Sequence, residues 1–285
     1  MTTPNPIVHL PTAPVAFAKM NGAGNDFILI DNRPGEIGPE AAELARRVCH
    51  RRLAVGADGL ILIESSATVD FAWRFFNSDG SLAEMCGNGA RCAARFAYLN
   101  GIAGSKMKFE TLAGVIRAEI RGDEVAIRIT PPALVAEDLA VTVAGGTVRL
   151  DRIDTGVPHA VVFVDDPAAV DVVALGREIR FHPRFAPAGT NVNFAAVKAP
   201  GVLALRTYER GVEDETLACG TGATAASLAA ARRFGWASPV FVDTAGRRRL
   251  TISFIVDGDG FRDPWLQGDA RLACSGMLSP EAWRD

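Results

Sequence analysis

The 285-residue chain lacks any apolar run approaching the ~18 residues that carry a helix across a bilayer, and its first residues lack the basic start and apolar stretch of a secretory signal. A cytoplasmic protein with no membrane partner is therefore expected. Charge of one sign is also missing: the formal net charge is −3, which gives no broad basic field for nucleic acid. The run Arg247, Arg248, Arg249 reads as a solvated turn. Cysteine is sparse and odd in number, five in all, which argues against a disulfide framework and fits a reducing compartment. Neither Cys86 nor Cys219 belongs to a Cys-x-x-Cys pair, so the usual dithiol redox spacing is absent. No close set of Cys and His ligands invites zinc, so no metal is expected. The few lysines, Lys19, Lys106, Lys108 and Lys198, stand in no recognisable Schiff-base context, so no pyridoxal phosphate or other cofactor is expected either.

What the chain does have is a phrase written twice. CGNGA begins at Cys86 and CGTGA begins at Cys219, 133 residues later. Each leads into an alanine-rich run that reads as a helix, and the free backbone amides at such a helix start attract anions. The flanks repeat too: strand-like runs at Phe71 to Phe76 and Leu203 to Tyr208 precede the two cysteines. A second correspondence sets Gly22 and Phe27 to Asp31 against Gly156 and Val161 to Asp165. The period is too long for a solenoid, and the length exceeds one ordinary core, so two similar domains of roughly 120 to 150 residues related by a pseudo-twofold axis are expected.

Helical periodicity appears at Pro39 to Arg52, Asn88 to Asn100, Pro167 to Ile179 and Gly222 to Phe234, among apolar or alternating strands such as Gly59 to Glu64 and Val125 to Ile129. Pro131 and Pro132 mark the expected domain boundary. Residues 1–14, rich in proline, read as a loose leader, 15–131 as a first lobe completed by about 271–283, and 132–270 as a second lobe.

Two symmetric thiols suit one chemistry better than others. Acyl transfer would need a histidine base, for which His50, His159 or His182 are available, but would leave the second cysteine without a role. Two acid/base groups on opposite faces of one carbon invert it, as in a racemase or epimerase. A thiol has an ordinary pKa of about 8.5, and a helix start favours its thiolate, so one of the pair can rest charged and the other protonated. The amides of Gly87, Asn88, Gly220 and Thr221 can hold a substrate carboxylate and stabilise the charge that develops as the α-proton leaves. A lone cysteine at a glycine turn would be read as a small buried hydrophobe, as Cys49, Cys92 and Cys274 are. Duplication among polar flanks favours function for Cys86 and Cys219.

These residues, together with MNGAGNDF at Met20 to Phe27, GADG at Gly56 to Gly59, FNSDGSLAEMCGNGARC at Phe76 to Cys92, GVPHAVV at Gly156 to Val162, GTNVNF at Gly189 to Phe194 and YERGVEDETLACGTGA at Tyr208 to Ala223, resemble the diaminopimelate epimerases. The resemblance covers nearly the whole chain. It implies an α+β fold of two pseudo-symmetric domains, each a mixed β-sheet or barrel wrapped around a central helix, with the site in the cleft between them. It also implies cofactor-independent interconversion of LL- and meso-diaminopimelate with Cys86 and Cys219 as the two bases. By the same resemblance Glu209 lies near the amino group, Arg210 answers the distal carboxylate, Asn25, Asn77 and Asn191 surround the distal end, and His159, with Glu209, tunes thiol acidity.

Turn formation is the structural alternative for Asn77, and a surface ion pair for Glu209 and Arg210. Val157 and Gly59 stand where the compared form of the family has Asn and Gln, and the loop carrying Glu213, Asp214 and Glu215 is one residue longer, with extra negative charge. The expected partners are a small diamino-dicarboxylate and, as candidate assembly, a homodimer. Alternatives are a racemase of histidine, proline or hydroxyproline, a phenazine-type isomerase, and a non-catalytic amino-acid binder or thiol sensor.

Overall fold

The apolar runs and glycine turns resolve, in a computed structural model that describes residues 10–283, into eighteen strands and four helices. In the first half these are β1 (Val15–Gly22), β2 (Asn25–Asp31), α1 (Ala41–Val48), β3 (Gly59–Glu64), β4 (Phe71–Asn77), β5 (Leu82–Ala83), α2 (Gly87–Leu99), β6 (Lys106–Thr111), β7 (Gly114–Arg121) and β8 (Glu124–Arg128). The second half runs β9 (Ala133–Val143), β10 (Gly146–Asp154), β11 (Pro158–Phe163), α3 (Val172–Arg180), β12 (Asn191–Ala199), β13 (Val202–Glu209), β14 (Asp214–Thr216), α4 (Gly220–Phe234), β15 (Val240–Thr244), β16 (Arg249–Asp257), β17 (Gly260–Asp269) and β18 (Arg271–Leu278). Of the leader expected over 1–14, residues 1–9 lie outside the described residues. Among the described residues no helix is long and apolar enough to cross a membrane.

One unit comprises 10–123 with 270–283, the other Glu124–Asp269. The division falls after Asp123 rather than at the expected Pro131, because β8 is laddered antiparallel to β17, with Ile127 opposite Leu266. Proline marks where pairing stops, whereas unit membership follows the long-range ladder.

Each unit has a mixed sheet with the same run of pairings. In the first, β1 and β2 form an antiparallel hairpin, β2 lies parallel to β3, β3 antiparallel to β4, β4 parallel to β6 and β6 antiparallel to β7. In the second, β10, β11, β12, β13, β15 and β16 repeat that series in order. An antiparallel edge strand is added to each: β18 against β1, and β9 against β10.

The parallel pair of β2 and β3 is buried on both faces, which is why these strands read as unbroken apolar runs rather than alternations. Ile28, Ile30, Leu60 and Leu62 pack with Leu44 and Val48 of α1. Phe27 and Ile61 point the other way, toward Gly89 of α2. Strand β12 divides likewise: Val192 and Phe194 join Val172 and Ile179 of α3, whereas Asn193 meets Gly222 of α4. The central helices fit inside their curved sheets because they are built of alanine and glycine. Helix α4 touches β10 to β13 and β15 to β17 and is buried nearly all round from Gly220 to Ala231, so its sequence shows only a weak apolar stripe. Gly235, in the left-handed conformation at φ 68°, ends it.

Two readings need correction. The helix expected over Pro167 to Ile179 is a 3₁₀ turn at Pro167–Ala169 followed by α3, because Asp166 caps Ala168 N–H, Asp171 caps Ala174 N–H, and Val170 between them is extended. Cys274, expected in the core, is exposed on β18, an edge strand with β1 on one side.

Candidate active site

Both cysteines are N-cap residues in extended conformation, Cys86 of α2 and Cys219 of α4. The β region at the cap, followed by glycine, turns the chain sharply from loop into helix. At each cap the first hairpin of the pairing series meets the helix start: β2 through Asn25 and Asn88 in the first unit, the β10–β11 turn through Thr155 and Thr221 in the second.

In the first unit Cys86 Sγ accepts from Gly89 N–H at 3.5 Å, and Ala90 N–H bonds the Cys86 carbonyl at 2.8 Å. Behind them stands Arg91, fully buried, which donates to Asn88 Oδ1 at 2.7 Å. Asn88 Nδ2 in turn donates to Asn25 Oδ1 at 2.6 Å, and Asn25 Nδ2 to Asp58 Oδ2 at 3.0 Å. The relay has one polarity, because the guanidinium at one end can only donate and the carboxylate at the other can only accept. Arg51 holds that outer end, donating to Asp58 and Asp26 at 2.7 Å each, and Lys19 pairs with Asp26 at 2.8 Å. Burial alone would push the Asp26 carboxyl up, but Arg51 and Lys19 hold it well below the usual carboxylate range. Asn77 is exposed, and its amide donates to the Ser81 hydroxyl at 2.9 Å. Gly59 has no room for a side chain, since a Cβ would lie 2.6 Å from the Phe75 ring.

In the second unit Cys219 is buried, and its Sγ lies 3.5 Å from the Thr221 hydroxyl. The Thr155 hydroxyl reaches the Thr221 carbonyl at 3.2 Å, tying the β10–β11 turn to the helix start. His159 is fully buried and sits opposite Asn191 in the parallel ladder. Asn191 accepts from Arg210 N–H at 2.8 Å and donates to the Pro158 carbonyl at 3.2 Å. The Arg210 side chain donates to the Ala188 carbonyl at 3.1 Å.

Burial, aided by the nearby Arg210 charge, pulls His159 down to about 3, so its ring is neutral near pH 7. Its Nδ1 lies 3.0 Å from Asn193 Nδ2, while its buried Nε2 has no hydrogen-bond partner among the described residues. Burial pushes the Glu209 carboxyl up, opposed by Thr216. Glu209 and Arg210 form no ion pair with each other among the described residues, so the surface-pair reading does not hold. The extra acidic residues nearby are not loose charge: Glu213 pairs with Arg180 at 3.1 Å and Glu215 with Arg206 at 2.5 Å.

Of the expected residues, Asn25 and Asn88 are joined at the start of α2, Thr221 lies against Cys219, and His159 and Asn191 face each other across the β11–β12 ladder. Three that sequence reasoning passed over, Arg91, Asp58 and Asn193, are what hold them. Asn193 had a visible signal: with Asn191 it makes a polar pair two apart in an apolar strand, both on one face. Among the described residues no group of three or more His, Cys, Asp and Glu is placed to hold a metal.

The architecture is shared with solved structures. It matches a phenazine biosynthesis protein of the PhzF family from Bacillus anthracis, with TM-score 0.71 at 14% identity over 93% of this chain and 99% of that one. It also matches a hydroxyproline epimerase from Agrobacterium vitis, with TM-score 0.70 at 16% identity over 94% and 93%. Sequence carries the assignment further. The family model described as diaminopimelate epimerase matches residues 17–135 and 152–259, and a diaminopimelate epimerase of Aquifex aeolicus is 48% identical over 93% of this chain and 98% of its own length. The chain belongs to the diaminopimelate epimerase family and is an isomerase.

Proposed function

We propose that the protein interconverts LL- and meso-diaminopimelate by a two-base mechanism in which Cys86 and Cys219 act on opposite faces of the α-carbon. One thiolate takes the α-proton, the C–H electron pair moves onto the carboxylate, and the other thiol delivers its proton to the opposite face. The reverse reaction exchanges the roles. The observation that supports this reading best is the placement of the two cysteines at equivalent caps of equivalent helices, each followed by glycine-rich first-turn amides. Those amides, of Gly87 and Asn88 and of Gly220 and Thr221, bind the reacting carboxylate and stabilise its growing charge with the helix dipole. Glu209, whose carboxyl burial pushes up, lies near the substrate amino group. Arg210 binds the distal carboxylate, with Asn25, Asn77 and Asn191 around it.

Neutral His159 tunes the thiols as a hydrogen-bonding group and not as a cation. Phe75 fills the space at Gly59, so the distal end of the substrate is held without a side chain there. The test is incubation with LL-diaminopimelate in heavy water: deuterium at the α-position and appearance of the meso isomer are expected. Unlabelled substrate, or labelling of histidine or proline in its place, would overturn the assignment.

A further inference from the structure

A cavity of about 360 Å³ lies in the second unit beside the last turns of α4, the end of that helix away from Cys219. Its walls are apolar, from Leu134, Ile153, Leu228 and Phe261, and its size suits a small molecule. A β-bulge supplies its polar floor. The β9–β10 ladder shifts register between Leu150 and Arg152, so Glu137 and Asp138 together oppose Asp151. Asp138 takes the left-handed conformation at φ 49°, and its N–H donates to Asp151 Oδ1 at 2.9 Å.

These three carboxylates line the cavity together with Arg232 and Arg233 of α4. Two of them are answered: Glu137 pairs with Arg232 at 2.7 Å and Asp138 with Arg149 at 2.5 Å. Asp151 is only 7% exposed, yet it has no ion-pair partner among the described residues, and its Oδ2 accepts no hydrogen bond from them. Burial, aided by the Glu137 and Asp138 charges, pushes its carboxyl up against the pull of the Asp138 N–H and the Arg233 charge. Arg233 is its counterpart, a guanidinium that lies over the Phe163 and Phe234 rings and makes no ion pair among the described residues. One unanswered anion and one unanswered cation thus share an apolar cavity without meeting.

We propose that this cavity binds a zwitterionic α-amino acid with an apolar side chain, its ammonium on Asp151, its carboxylate on Arg233 and its side chain against Leu134, Ile153, Leu228 and Phe261. An ammonium brings three donors to the open Asp151 oxygen while the bulge keeps hold of the other. Three carboxylates turn away a simple anion, and among the described residues no group of three or more His, Cys, Asp and Glu is placed to hold a metal. None of these residues takes part in the proposed epimerisation, so the two readings stand or fall separately.

The test is calorimetric titration of the whole protein with L-leucine and L-phenylalanine. Two analogues accompany them: isoamylamine, which keeps the ammonium and branched body of leucine, and isocaproate, which keeps the body and the carboxylate. At least one of the amino acids is expected to bind, at least about tenfold more tightly than either analogue, because each analogue leaves one charge of the cavity unanswered. Binding by neither amino acid, or an analogue that binds as tightly as both, overturns the proposal. This comparison needs no variant, so it does not depend on a substitution folding. Asp151→Asn keeps the shape and the acceptor for Asp138 N–H, and Arg233→Gln removes the guanidinium. Each is expected to weaken amino-acid binding at least about tenfold. Unchanged binding in Asp151→Asn would put the amino acid elsewhere, the epimerase site included, and overturns the cavity as its place. Unchanged binding in Arg233→Gln overturns the carboxylate contact.

Discussion

The two cysteine-capped helices stand on the same strand plan, yet their surroundings are built from opposite materials. Around Cys86 the supports are charged: a buried Arg91, then two asparagine amides, then Asp58 gripped by Arg51. Around Cys219 they are neutral. The position equivalent to Arg91 is Thr224, which bonds back to the Gly220 carbonyl at 3.0 Å, and the relay runs through Asn193, Thr207 and an uncharged His159. Duplication thus preserved what places a sulfur at a helix start and left free how the loops beneath it are tied down. The proposed two-base reaction asks for matched thiols, not for matched scaffolding.

That contrast can be broken most directly at the sulfurs. Cys86→Ala and Cys219→Ala are each expected to lower epimerisation by about a thousandfold or more, the size of a positioned acid/base contribution, with folding retained. Full activity in either, measured as meso product from LL-diaminopimelate, would show that the halves are not equivalent in the chemistry.

The supports should differ in worth. Arg91→Leu removes a buried cation and orphans Asn88 Oδ1, and should cost about 3 kcal/mol in urea denaturation. Thr224→Val removes one neutral hydrogen bond and should cost about 1 kcal/mol. Equal losses would mean that the charged relay is ornamental.

Glycine tests the packing side of the same contrast. Gly222→Ala drives a methyl into Asn193 and should cost about 2 kcal/mol. The nearest neighbour of a Cβ at Gly89 is the flexible tip of Ile61 at 3.2 Å, so Gly89→Ala should cost less than about 1 kcal/mol.

The same contrast can be sharpened through pH. His159 titrates at about 3 folded against 6.5 when free, so between those values the unfolded chain binds a proton that the native chain does not. The contribution of neutral His159 is complete above pH 6.5 and is lost as pH falls toward 3, at no more than about 1.4 kcal/mol per pH unit. His159→Gln should flatten the stability profile between pH 6 and 4.

Much of this was legible in the chain. The duplicated phrase located both helix starts, and unbroken apolar runs such as Leu60 to Ile63 marked strands covered on both faces. The supports were harder to see, because their roles come from pairings far apart in sequence. Arg91 looks like any helix arginine until β1 and β2 are laid over α2. Asn193 matters only once β11 sets His159 beside it, and Gly59 looks like a lost side chain until Phe75 is seen to occupy the space.

The ladder between β1 and β18 joins nearly the two extremes of the described chain, while residues 124–269 form their unit from one continuous stretch. On the ribosome the later unit therefore has all its strands before the earlier one does, and β1 must wait with an open edge until the final strand emerges. Synthesis runs first to last, but completion runs the other way.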